Sequence, residues 1–165
     1  MSLSKLLSSV FKHTGRSIIK GAGQIHSFSK ITIRETGFRA FEEEFELLHD
    51  EETTSLTLYC GAWHFNDNVA KEDCTVFRVI GGEELYEQLL LLLNTFHVGK
   101  WDGFHGSNPP GVCDGTMFEM QGVINGDVCL YATGSNNFPK GYHEFLAVLK
   151  ELGKKAGSDQ QESKR

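Results

Sequence analysis

The stretch TMFEMQGVINGDVCLYAT, residues 116–133, decides how this chain folds. Asn125-Gly126 interrupts two runs in which apolar and polar residues alternate. A tight type I′ turn needs positive φ at both central positions, which Asn and Gly adopt at least steric cost. The stretch therefore predicts an antiparallel hairpin closed by a two-residue turn. Counting back from that turn, Met120 faces Tyr131, Gly122 faces Cys129 and Val123 faces Val128.

Downstream, Pro139 suits the first turn of a helix because that position has no intrahelical use for an N–H. Tyr142, Phe145, Leu146, Leu149 and Leu152 then recur at three- and four-residue steps, so a helix is expected over 139–152. Lys150 and Lys154 near its end and Gly153 after it read as stop signals. Upstream, Gly81-Gly82 opens a second helix over 83–97, with Glu83 and Glu84 placed to favour the dipole of its first turn. Leu85, Leu89, Leu92, Leu93 and Phe96 form its core stripe. Leu90 and Leu91 widen that stripe, so the helix is either covered on two sides or offers an apolar strip to a partner.

Between Phe28 and Ile80 the pattern is that of strands. Ile31 and Ile33 alternate with Thr32 and Arg34. Phe41, Phe45 and Leu47 alternate with Glu42, Glu44 and Glu46. The second of these runs also fits a helical period, but the polar turn Asp50-Glu51-Glu52 and the following Leu56, Leu58 and Cys60 favour a strand with an antiparallel partner. A further strand is expected over 74–80, with Val76, Arg78 and Ile80 on one face and Phe77 and Val79 on the other. The fold class that follows is α+β: an antiparallel sheet of about five or six strands with two helices packed on one face. This domain spans 28–152. A basic amphipathic arm, helical over 4–20, precedes it (1–27), and a polar, disordered tail follows it (153–165).

The chain has 165 residues, 39% hydrophobic and 23% charged, enough for one domain with a buried core. Its formal net charge of −6 argues against a nucleic-acid partner, which would call for a positive surface. The charge is uneven: Lys5, Lys12, Arg16, Lys20 and Lys30 face no acid within residues 1–30, so the remainder is strongly acidic. That arm either lies against its own acidic body or, with residues 1–23 as a basic amphipathic helix, touches an anionic membrane. Cys60, Cys74, Cys113 and Cys129 are scattered singly and are expected to be buried thiols. With neither a secretory leader nor an apolar span, a cytoplasmic location is the default expectation.

Candidate chemistry gathers in Trp101-Asp102-Gly103-Phe104-His105, in Asp114-Gly115 and in Gly134-Ser135-Asn136. Trp101 and Phe104 would wall a small-molecule pocket whose polar points are Asp102, His105, Asp114 and Asn136. Against this, Asp-Gly and Gly-Ser-Asn are ordinary turn and cap chemistry, and a Trp beside glycines commonly closes a core. A Cys113 nucleophile with His105 or His143 is the one covalent arrangement available. His64, His97, His105 and His143 lack metal-ligand spacing, so no metal and no cofactor are expected.

The order Trp101-x-Gly103-Phe104, Asp114-Gly115 leading into a hairpin, and Gly134-x-Asn136-x-x-Pro139 before a last helix resembles a recurrent small bacterial domain without an established activity. The resemblance covers residues 28–152, and Phe118 fills the bulky position after the Asp-Gly. The stretch Gly106–Gly111, with Pro109-Pro110, is longer than in that pattern. The resemblance implies an architecture and no chemistry. The leading functional expectation is a non-enzymatic binding or protein-interaction module, able to dimerise through Leu90 and Leu91. The alternative is a small hydrolase or ligand-binding enzyme working in the Trp101–Asp114 cluster.

Overall fold

Alternation along the chain becomes a sheet because each strand has one apolar side to hide. The computed structural model describes residues 23–37, 42–61 and 75–162. Its strands are β1 (Phe28–Gly37), β2 (Glu42–His49), β3 (Thr54–Gly61), β4 (Thr75–Gly81), β5 (His105–Gly106), β6 (Thr116–Ile124) and β7 (Val128–Ser135). The helices are α1 (Glu83–Thr95) and α2 (Tyr142–Glu162), with a 3-10 turn at Val98–Trp101. The seven strands are ordered β4-β3-β2-β1-β6-β7-β5, antiparallel except for β5 on β7. The class is α+β as expected, but the described residues hold seven strands, not five or six. The seventh is the two-residue β5, too short to show a period in the sequence. The expected N-terminal helix over 4–20 lies outside the described residues, as do Phe41 and Cys74.

One face of the sheet holds the core. Ile31 and Ile33 of β1, Phe45 and Leu47 of β2, and Leu56 and Leu58 of β3 are fully buried, and cross-strand partners such as Phe45 and Leu58 stack layer on layer. Leu85, Leu89, Leu92 and Leu93 of α1 and Phe145, Leu149 and Leu152 of α2 cover that face. Each such side chain withdrawn from water contributes roughly 1.5–3 kcal/mol before entropy is counted. The reading of 41–48 as strand rather than helix holds for the described part of that run.

The β6–β7 hairpin forms, but its register is one residue away from the expected one. Ile124 pairs with Val128, Gln121 with Tyr131 and Met120 with Ala132, so the loop is the three residues Asn125-Gly126-Asp127. The core overrides the preferred turn. In the two-residue register Cys129, Tyr131 and Thr133 would face the helices. In the observed one, Leu130 and Ala132 do, at 1% and 0% exposure. A one-residue slip exchanges the two faces of a strand, so the apolar set decides it. The same choice leaves Cys129 exposed. Cys113 is exposed too, and Cys60 is half-buried, so these three free thiols are not the buried ones anticipated.

Two helix boundaries also differ. Gly141 has φ +85°, outside helical geometry, so α2 starts at Tyr142 and not at Pro139. It then runs through Gly153 to Glu162, past the stop expected after Leu152 and into the stretch expected to be a disordered tail. Gly153 is buried, with the position of its missing Cβ 3.6 Å from the Leu58 Cβ. A Cβ there would make only ordinary contact with Leu58 and Phe77, so the glycine neither ends the helix nor is demanded by the packing.

Candidate functional site

The cluster singled out in the sequence is drawn together along the outer edge of β7. Gly103 donates its N–H to the Tyr131 carbonyl (2.9 Å), and the Asp102 carboxylate accepts the Tyr131 N–H (3.0 Å). Thr133 donates to the Phe104 carbonyl (3.0 Å), and His105 Nδ1 meets Thr133 Oγ1 (2.8 Å). Asp102 thus stands in for a backbone acceptor and extends the ladder of a very short strand. Trp101 is buried, edge-on to Phe145 at 5.5 Å, and Phe104 packs on Phe118.

Asn136 closes the other end. With φ +50° it donates its N–H to the Thr116 carbonyl (2.8 Å), and its side-chain oxygen accepts the Thr116 N–H (3.0 Å). Its amide nitrogen donates to Asn108 Oδ1 (2.7 Å) and to the Asp114 carbonyl (3.1 Å). A Cβ on Gly115 would lie 1.9 Å from Asn136 Oδ1, so glycine is required there. Asp102, His105 and Asp114 therefore engage three successive places along β7 and its exit. Asn108, in the Gly106–Gly111 stretch, was not singled out in the sequence, although Ser135 and Asn136 both donate to it.

On α1, Leu90 and Leu91 are half-buried, and Leu90 packs against the core. The large apolar side chains left exposed, among the described residues, lie elsewhere: Val76, Ile80, Met117 and Tyr131 on the sheet face away from the helices, with Val112 and Val128. The acidic run of β2 is not a free surface either. Glu44 is buried and pairs with Arg34 (2.7 Å), Glu46 meets Lys30 (3.7 Å), and Glu43 meets Lys150 (2.6 Å).

A different set of side chains forms a cleft of about 520 Å³ between the ends of β1 and β2 and one face of α2. Glu35 and Glu43 are its floor. They are direct cross-strand partners, in phase with the core-facing Ile33 and Phe45. His143, Leu146, Ala147 and Lys150 form the helical wall. Like charges placed opposite each other on adjacent strands are destabilising. Burial pushes the Glu35 carboxyl above the usual carboxylate range, and the charge of Glu43 adds to the rise. The nearby Tyr142 hydroxyl, His143 and Lys150 oppose it.

Tyr142 lies beside this pair. Its ring is locked among Phe118 (4.5 Å), Phe138 (5.1 Å) and Trp101 (5.7 Å). The residue is 1% exposed, and its Oη lies against the Glu35 carboxylate, within hydrogen-bonding reach though not in ideal geometry. Burial, then the Glu35 charge and the contact with its carboxylate, drive the Tyr142 pKa upward, so the phenol keeps its proton. Among the described residues no group of His, Cys, Asp and Glu is arranged to hold a metal ion, and no helix is long and apolar enough to cross a membrane.

The sequence reading did not place Glu35 or Glu43 in a site, and took Lys150 only as a helix stop signal and Tyr142 only as a core residue. A signal existed: Glu35 continues the phase of Ile31 and Ile33, and Glu43 that of Phe45 and Leu47, so both carboxylates point to the apolar side.

No protein-family model, no curated protein and no solved structure matches the chain. The resemblance carried by the Trp101–Pro139 pattern has no support from these comparisons.

Proposed function

We propose that the protein is a binding module whose ligand site is the cleft floored by Glu35 and Glu43 and walled by His143 and Lys150. The observation that carries this reading is the pair of half-buried carboxylates that face each other across adjacent strands in that cleft. Such a pair does not help the fold, which opposite charges would serve better. It acquires a use if a ligand supplies further contacts. The cleft volume lies within the range of small-molecule sites.

The test is a fragment screen read by amide and side-chain NMR. Saturable shifts gathering at Glu35, Glu43, Tyr142, His143 and Lys150 are expected. Hits that gather instead along β7, around Asp102, His105 and Asn136, would transfer the site to the cluster singled out in the sequence. Hits that gather on the sheet face bearing Met117 and Tyr131 would argue for a protein-docking surface in its place.

A further inference from the structure

We infer that β4 is a docking edge, taking an extended, acidic segment of a partner protein as an eighth strand of the sheet. β4 lines no part of the Glu35–Glu43 cleft.

The two edges of the sheet differ. On the β7 edge, Tyr131 donates its N–H to Asp102 and accepts one from Gly103, and Thr133 donates to Phe104. β5 pairs alongside at Thr133 and Gly134. On the β4 edge no such partner occurs among the described residues. Antiparallel pairing with β3 uses only alternate N–H and C=O groups of β4, and the others point away from the sheet. Proteins blunt such an edge with proline, a bulge, a very short strand or several charges. β4 has seven residues, no proline and one charge, and it pairs with β3 without a register shift.

Its side chains suit a cross-strand partner of one kind. Val76 and Ile80 are 47% and 55% exposed and flank Arg78 on the face away from the helices. On the helical face Phe77 is half-buried, with the Lys154 ammonium 5.9 Å from its ring centre. Arg78 and Lys154 are both exposed, and neither has an ion-pair partner among the described residues. The edge is therefore cationic on both faces, in a chain whose net charge is −6. An incoming strand with one acid opposite Arg78, another opposite Phe77 beside Lys154, and apolar residues opposite Val76 and Ile80 adds side-chain pairs to the backbone ladder. Glu83 and Glu84 follow closely after Gly81, so the acidic part of the segment lies towards Thr75.

A second copy fits less well. A two-fold β4–β4 pair spanning the whole strand sets Val76 opposite Ile80 but Arg78 opposite Arg78, and like charges so placed are destabilising.

The experiment titrates the full chain with acetyl-Thr-Val-Glu-Glu-Val-Val-Thr-amide, with the same peptide carrying Lys for both Glu, and with the acidic peptide N-methylated at every residue. Amide NMR follows each titration. Saturable shifts at residues 75–81 with the first peptide alone are expected. They should weaken several-fold in Arg78→Glu and in Lys154→Glu, both at exposed positions, and Arg78→Glu should gain binding of the lysine peptide. Thermal unfolding shows each variant folded. Equal binding of the acidic and lysine peptides overturns the inference, as does binding that survives N-methylation. No shift at β4 with any peptide overturns it too. Shifts gathering at Glu35 and His143 instead would seat the peptide in the cleft and end the edge reading. A concentration-dependent dimer whose contact maps to β4 would give the edge to a second copy and likewise overturn it.

Discussion

Asn94 and Asn125, on different elements, hold the same short segment of chain from two sides. Asn94, in the last turn of α1, accepts the Ile25 N–H (2.9 Å) and donates to the Ile25 carbonyl (2.8 Å). Asn125, in the β6–β7 loop, accepts the His26 N–H (2.6 Å) and donates to the Gln24 carbonyl (3.1 Å). Residues 24–27 have no ladder of their own, so these amides satisfy their backbone and deliver Ile25 and Phe28 into the core.

Asn94→Ala should therefore cost about 1–3 kcal/mol, because it strands the backbone groups of a fully buried residue. Asn125→Gly keeps the positive φ and loses only exposed hydrogen bonds, for about 0.5–1.5 kcal/mol. Urea unfolding of the two variants should rank them in that order. An Asn125→Gly cost equal to or above that of Asn94→Ala would show that the loop, not the helix end, anchors the segment.

Gly134 sits where β7 passes under the chain leading to α2. A Cβ there would stand 2.1 Å from the Asn137 carbonyl oxygen and 2.5 Å from the Phe118 ring. Gly134→Ala should destabilise by at least the 1–3 kcal/mol typical of overpacking, visible as a lowered Tm. Gly82 has no atom within 4 Å of its Cβ position, so Gly82→Ala is the control free of overpacking, and its cost is confined to the unusual ψ of −139° there.

Glu35 should lower stability as the pH rises. Its carboxyl titrates above the ordinary range in the folded chain, so the folded state holds the proton longer than the unfolded one. Whatever protonated Glu35 contributes is present below the unfolded pKa and is lost as pH climbs through the raised folded value. Glu35→Gln should remove that slope and, at neutral pH, gain roughly 0.2–1 kcal/mol from the lost repulsion with Glu43. Guanidinium unfolding from pH 4 to 8 reads both effects. A stability profile that keeps its slope in the variant would assign the slope to other groups.

Leu90→Glu and Leu91→Glu separate packing from partnership on α1. Leu90 packs against the core, so its substitution should cost about 1–3 kcal/mol in the monomer. Light scattering over a range of concentrations shows whether the wild-type chain self-associates. A dimer that dissociates in Leu91→Glu with unchanged circular dichroism would place an interface there. Unchanged mass in a folded Leu91→Glu variant would exclude it.

Much of the architecture was legible in the residues because period is a local property. Alternation in 31–34 and 42–47, three- and four-residue steps in 85–96 and 142–152, and Asn125-Gly126 each report on a few neighbouring side chains. These were enough for the α+β class, the antiparallel pairing of β2 with β3, and the helices covering one face. The hairpin register, the run of α2 through Gly153 and the strand β5 were not legible. Each depends on what a distant element requires: Leu130 and Ala132 hidden beneath the helices, Leu58 close to Gly153, and Thr133 meeting His105. The candidate site divides in the same way. The sequence by itself determined that Glu35 and Glu43 share the phase of the core. Only the tertiary structure set them opposite each other under Tyr142, because cross-strand register and helix docking are fixed by burying apolar surface over the whole sheet.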